Sequence, residues 1–330
     1  MAEFLTFDTD LTAVANAIRA KGGTSAQLIY PSGFVSAIQA IQTGITPKLV
    51  VTTTPGAAIT ATPAEGFKVV KGTAGADGMC TLELPKAGTW HVTAMANSVS
   101  NSQNIVIGTQ NMLLPLYHDT FADNTWEEII AVCRTGIAPD SWAVGDSKTM
   151  NIGGTAYQVD IIGKNHDEYA DGSGTAPLTF QLHDCYSEAK QMYSTNLSGL
   201  GWKNTDMRLT YLPAILALMP AEVQNGIRAV NKKTSEGGNS TTIEIVSDTL
   251  FLLSEVEIFG TASSSVAGEG SQYDYYKAGN PKIKKREGVD EFWWERSSAS
   301  GGMFCRVRAN GQAGASNASN SLGVSFAFCF

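Results

Sequence analysis

The stretch "NHDEYADGSG" (residues 165–174) is the most suggestive of metal ligation in the chain. Asp167, Asp171 and Ser173 offer oxygens at alternate spacing, and His166 could join them around a calcium ion. The spacing of an EF-hand loop is not met. Tyr169 stands at the third position and Leu178 at the twelfth, where a bidentate Glu is needed. A capped turn between strands is the favoured reading. "HDC" (His183, Asp184, Cys185) places an imidazole beside a thiol. Neighbours in sequence do not share catalytic geometry on an extended strand, so no nucleophile is assigned there. Glu127 and Glu128 suit the start of a helix better than paired acid–base work. No P-loop, GxSxG, HExxH or dinucleotide fingerprint is present. The chain is therefore expected to be non-enzymatic, with no catalytic residue, metal or cofactor.

Composition narrows the classes further. Hydrophobic residues make up 43% and charged residues 16%, which suits folded domains rather than a disordered tail. Lys+Arg 23 against Asp+Glu 31 gives a net charge of −8, which argues against nucleic-acid binding through phosphates. Lys282, Lys284, Lys285 and Arg286 read as a solvated turn rather than a polyanion site. The start "MAEFLTFDTD" lacks an apolar h-region, so no signal peptide is expected, and no run is long enough for a membrane span. Cys80, Cys133, Cys185, Cys305 and Cys329 are scattered and odd in number, which predicts buried free thiols.

The elements that must position such residues fall into three segments. Residues 1–46 predict two short helices. Asp10 caps the first, Leu11, Val14 and Ile18 form its stripe, and Gly22-Gly23 ends it; Phe34, Ile38 and Ile41 mark the second. Helices this short need a partner surface, which predicts attachment or a homo-oligomer. Residues 47–109 alternate with period two and predict a small antiparallel sandwich. Leu82, Leu84, Trp90 and Val92 are its inward positions, and His91 lies on the polar phase. Residues 110–330 read as one α+β domain. "DNTWEEIIAVCRTG" carries a capping box at Thr125 and Glu128. "YQVDIIG" and "LTFQL" are strands, "TDMRLTYLPAILALM" and "PAEVQNGIRAV" helices, and "TIEIVSDTLFLLSEVEIFG" strand again.

Longer blocks carry two resemblances. "DLTAVANAIRAKGGTSAQLIYPSGFVSAIQAI" resembles a module near the start of tail and baseplate-associated phage proteins. The second segment is similar to immunoglobulin-like and carboxypeptidase-regulatory-like spacers. "YQVDIIGKNHD", "MYSTNLSGLGW", "LFLLSEVEIFG", "FWWERS" and "GVSFAFCF" resemble successive blocks of a phage-associated family with a C-type lectin fold of the formylglycine-generating-enzyme branch. Some members are variable proteins of diversity-generating retroelements. The resemblance implies a virion tail protein, made in the bacterial cytoplasm, that binds a host cell-surface protein or glycan alongside other tail components. A tail-associated cell-wall hydrolase and a purely structural tail protein are the rival readings.

The same resemblance implies a rewritable binding strip. Adenine-directed change of Asn-type codons yields Ser, Gly, Ala, Arg, Asp, Thr and Tyr, but not Gln, Glu, Met or Trp. Ser298, Ser300, Arg306, Arg308, Asn310, Ser316, Asn317, Ser319 and Asn320 lie in the permitted set and are the expected ligand contacts. Trp293, Trp294, Met303, Gln312, Phe326 and Phe328 lie outside it and are the expected frame. Glu295 replaces the apolar residue expected in "WWxRS"; it is expected to be exposed and joins the ligand contacts. Arg296 is expected to have a fixed structural role. The EPN and WND calcium motifs of sugar-binding lectins and the catalytic cysteine motif of formylglycine-generating enzymes are absent.

Overall fold

The computed structural model describes residues 8–22 and 47–330, apart from 65, 67, 108, 109, 197, 198 and 239. The chain is mixed α and β, mostly sheet, and divides into two compact units, Met1–Tyr117 and His118–Phe330. No described helix is long and apolar enough to cross a membrane.

In the first unit α1 spans Asp8–Gly22. The expected cap, Asp10, therefore lies inside the helix. Its buried residues are Ala15 and Ile18, whereas Val14 is exposed. The second expected helix, with Phe34, Ile38 and Ile41, lies outside the described residues. Seven strands follow: β1 (Lys48–Thr52), β2 (Ala58–Pro63), β3 (Val70–Thr73), β4 (Met79–Glu83), β5 (Gly88–Ala96), β6 (Val99–Ile107) and β7 (Gln110–Leu113). They form a three-stranded sheet, β4-β1-β7, and a four-stranded sheet, β3-β2-β5-β6. Leu82, Leu84, Trp90 and Val92 point into one shared core, and His91 is exposed beside Asn104. The boundary expected at residue 109 moves to Tyr117, because β7 pairs in parallel with β1 and closes the first unit's sheet.

The second unit is built on the sheet β13-β19-β10-β9-β8. These are β8 (Ser147–Ile152), β9 (Thr155–Lys164), β10 (Leu178–Leu182), β13 (Leu250–Phe251) and β19 (Ala327–Cys329). All of β10 is buried, including Thr179 and Gln181 on its second face. Helix α2 (Trp126–Cys133) packs on this sheet through Trp126, whose ring meets Phe180 edge-on at 5.9 Å. Its capping box forms as the sequence predicts: Glu128 N donates to Thr125 Oγ1 at 3.2 Å, and Thr125 N donates to Glu128 Oε2 at 2.8 Å. Phe328 stacks on Phe180 from the adjacent strand at 5.3 Å.

Three expectations change here. A π-helical turn, Met207–Tyr211, leads into α3 (Leu212–Leu216), with Pro213 in the first turn where its missing N–H costs little. The next helix, α4, covers only Ala221–Gly226, and the chain is already strand at β11 (Val230–Ser235), paired with β12 (Ile243–Asp248). The final predicted strand run breaks at Ser254. A second capping box, Ser254 with Glu257, starts helix α5 (Glu255–Phe259), and Gly260 ends it at φ 76°. A short helix α6 (Asp274–Lys277) follows, then the hairpin β14 (Lys284–Arg286) and β15 (Val289–Glu291). The last sheet is β16 (Trp293–Ser298), β17 (Met303–Val307) and β18 (Ala313–Asn317).

Candidate functional site

Four charged side chains meet inside the second unit. Asp167 follows β9, Lys232 stands on β11, Glu257 is the N3 residue of α5, and Arg296 stands on β16. Lys232 Nζ lies 2.6 Å from Asp167 Oδ1 and 2.8 Å from Glu257 Oε1. Arg296 reaches Glu257 through both terminal nitrogens and donates to the carbonyls of Leu252, Lys233 and Glu269. Two cations face two carboxylates, and every group is hydrogen-bonded, which is the condition for burying charge. Burial raises the Asp167 pKa, but Lys232 and His166 outweigh it and hold the carboxyl at about 2. Arg296 thus has the structural role expected of it.

His166, Asp167 and Glu257 place one possible ligand atom each within 4.8 Å of one another. They also line a cavity of about 280 Å3 together with Lys232. The Lys232 ammonium already occupies the position a cation would take between the two carboxylates. The cluster is therefore read as a structural ion network. The calcium grouping considered for Asp167 and Asp171 does not form. Asp171 instead accepts from Ser173 N at 3.0 Å and pairs with Arg228 at 2.6 Å, as a capped turn does.

The "HDC" segment splits apart. His183 Nδ1 lies 2.7 Å from Asp160 Oδ2, and this bond raises its pKa. Ser147 Oγ donates to the other oxygen of Asp160 at 2.5 Å, so serine and histidine both bind the carboxylate rather than each other. Burial pushes the Cys185 thiol up to about 12. All five cysteines are free and buried. The basic run is not a solvated turn throughout: Lys284 is buried and donates to the carbonyls of Leu182 and His183 at 2.6 and 2.7 Å.

The C-terminal strip separates only in part into the expected frame and face: of the expected frame, Gln312 is exposed and Met303 half-buried. Trp293, Trp294, Phe326 and Phe328 are 0% exposed. Trp294 Nε1 donates to Lys190 O at 2.8 Å, which ties the frame to a distant loop. Ser300, Arg308, Asn310, Asn317 and Asn320 are exposed, and Arg306, Ser316 and Ser319 are half-buried. The ladder sets Arg306 opposite Gly314 and Phe304 opposite Ser316. Ser319 Oγ donates to Asn196 Oδ1 at 2.5 Å. Gly302, at φ 78°, lets the backbone pass Asn196; a Cβ there would sit 2.5 Å from its carbonyl oxygen.

Two expected contacts are corrected. Glu295 is not exposed: it is 0% accessible, and neither carboxylate oxygen has a hydrogen-bond partner. Burial, then the Glu255 and Glu269 carboxylates, push its pKa well above the usual range, so it is held as the neutral acid. Ser298 is also buried and donates to Gly238 O at 3.2 Å. Every residue of β16 is buried, on both of its faces, so neither side chain can reach solvent by strand alternation. Lys232 and Glu257 were missed as a pair. The Ser254-x-x-Glu257 box was a signal for the helix; nothing local signals that Lys232 points inward.

A family profile described as a domain of unknown function (DUF6273) matches residues 179–330. The match runs from β10 to β19 and so includes Lys232, Glu257, Arg296 and the whole strip. No curated protein and no solved structure matches the chain.

Proposed function

We propose that the chain is a non-enzymatic ligand-binding protein of a phage tail, which presents the face formed by β17, β18 and the following turn. The supporting observation is the division just described. Trp293, Trp294, Phe326 and Phe328 are fully buried, while Ser300, Arg308, Asn310, Asn317 and Asn320 reach solvent. A surface that tolerates rewriting must leave stability to other residues, since exposed positions change it by under about 0.5 kcal/mol. In this reading the second unit is a C-type lectin-like domain and the face is of the retroelement-diversified type. The first unit is an immunoglobulin-like spacer. The N-terminal segment attaches the protein to other tail components or makes a trimer. The ligand is a host cell-surface protein or glycan.

The deciding experiment is sequencing of the locus. A near-copy of the final coding stretch that differs at adenines, beside a reverse transcriptase, is expected. A locus with neither removes the diversified reading. Ser300→Tyr and Asn317→Tyr test the face itself: both variants should keep the wild-type melting temperature while altering adsorption to host cells.

A further inference from the structure

We propose that Arg306 and Arg308 form a subsite for the phosphate group of a ligand. This deepens the reading of the β17–β18 face as the binding surface and rests on it.

Both arginines are held in place without an acid. Arg306 Nε donates to Ala315 O at 3.1 Å, and its guanidinium lies 4.2 Å above the Phe292 ring. Arg308 crosses Gly314, the residue opposite Arg306 in the ladder; a Cβ on that glycine would come within 2.8 Å of Arg308 Nε. Among the described residues, every ion pair uses other cations. Burial lowers the Arg306 pKa, and the neighbouring charge of Arg308 lowers it further. Two like charges thus stand together uncompensated, which costs free energy unless an anion arrives.

The setting makes this unusual. The chain carries a net charge of −8, yet no Asp or Glu occurs after Glu295. A composition this acidic offers ready partners for a surface arginine, and these two have none. Guanidinium groups form forked, charge-assisted hydrogen bonds to phosphate oxygens. A phosphate monoester carries about −1.5 to −2 at neutral pH, which matches two guanidinium charges. A carboxylate matches one. The exposed Asn310, two residues beyond Arg308, adds a neutral polar group near the pair.

The test uses the full chain and two small probes, glycerol phosphate and glutarate, with the arginine side-chain nitrogen signals followed by NMR. Glycerol phosphate is expected to shift the Arg306 and Arg308 signals saturably. Arg306→Gln and Arg308→Gln should each weaken it roughly tenfold, as loss of a charged hydrogen bond implies. Unchanged melting temperatures show that the variants fold. The inference is overturned if glutarate binds as tightly as glycerol phosphate, if neither probe shifts these signals at millimolar concentration, or if the double variant still binds phosphate. The locus sequence and the tyrosine variants read the face without any anion, so failure of the phosphate subsite leaves that reading standing.

Discussion

Replacing Glu295 by Gln should change how stability depends on pH. Glu295 is fully buried, both its oxygens lack partners, and burial and two neighbouring carboxylates raise its pKa well above the usual range. In the unfolded chain the same group titrates near about 4.3. Below that pH both states hold the proton, and Glu295 contributes no pH dependence. Above it the unfolded chain releases the proton while the folded chain keeps it. Stability therefore falls as pH rises, by about 1.4 kcal/mol per pH unit, until the folded group ionises. Gln has nearly the same shape and no proton to lose. At pH 4 the variant should match the wild type or be weaker by about 1–2 kcal/mol, the cost of another unpaired amide. Between pH 5 and 7 it should gain on the wild type with the slope given above. Other titrating groups, including Glu269 and His183, cancel in the difference because both proteins contain them. Urea midpoints and m-values at half-unit steps from pH 4 to 8 measure this directly. A wild-type-minus-variant difference that stays flat across that range would show that Glu295 is ionised in the fold, and the reasoning from its orphaned oxygens would be wrong.

Arg296→Ala takes the guanidinium from the buried Glu257 carboxylate and from three carbonyls and should cost about 3–5 kcal/mol by denaturant unfolding. Asp167→Asn should remove a contribution that the wild type holds above about pH 4 and loses as the pH falls toward 2, so the acid limbs of the two proteins should converge. Trp294→Ala should cost about 3–5 kcal/mol, against under about 1 kcal/mol for Ser300→Tyr or Asn317→Tyr; several strip variants that unfold the domain would make the strip core packing. Residues 118–330 expressed alone should unfold in one cooperative step, because the chain divides at Tyr117 and each part has its own core.

Several features were legible in the residues alone. The Thr125–Glu128 box, the inward phase of Leu82, Leu84, Trp90 and Val92, and the buried free cysteines follow from neighbours a few positions apart. Capping, periodicity and apolar size act over one turn or one strand, so sequence carries them directly. The burial of Trp293, Trp294, Phe326 and Phe328 and the exposure of Ser300, Asn310, Asn317 and Asn320 were legible for the same reason, whereas the burial of Ser298 was not. What only the tertiary structure decided is which distant groups meet. Glu295 looked like a surface acid, because a charged residue has no local reason to be inside; the packing of β16, buried on both faces, puts it there. Lys232 lies between Asn231 and Lys233 on a strand, and its burial depends on Asp167 and Glu257 arriving from other elements. Arg306 and Arg308 are two apart in sequence, but only the fold shows that Gly314 lies beside Arg308 and Phe292 beneath Arg306, and that no ion pair among the described residues uses either. Local chemistry sets what each segment can form; the energy of a buried or gathered charge depends on partners that the chain brings from far away.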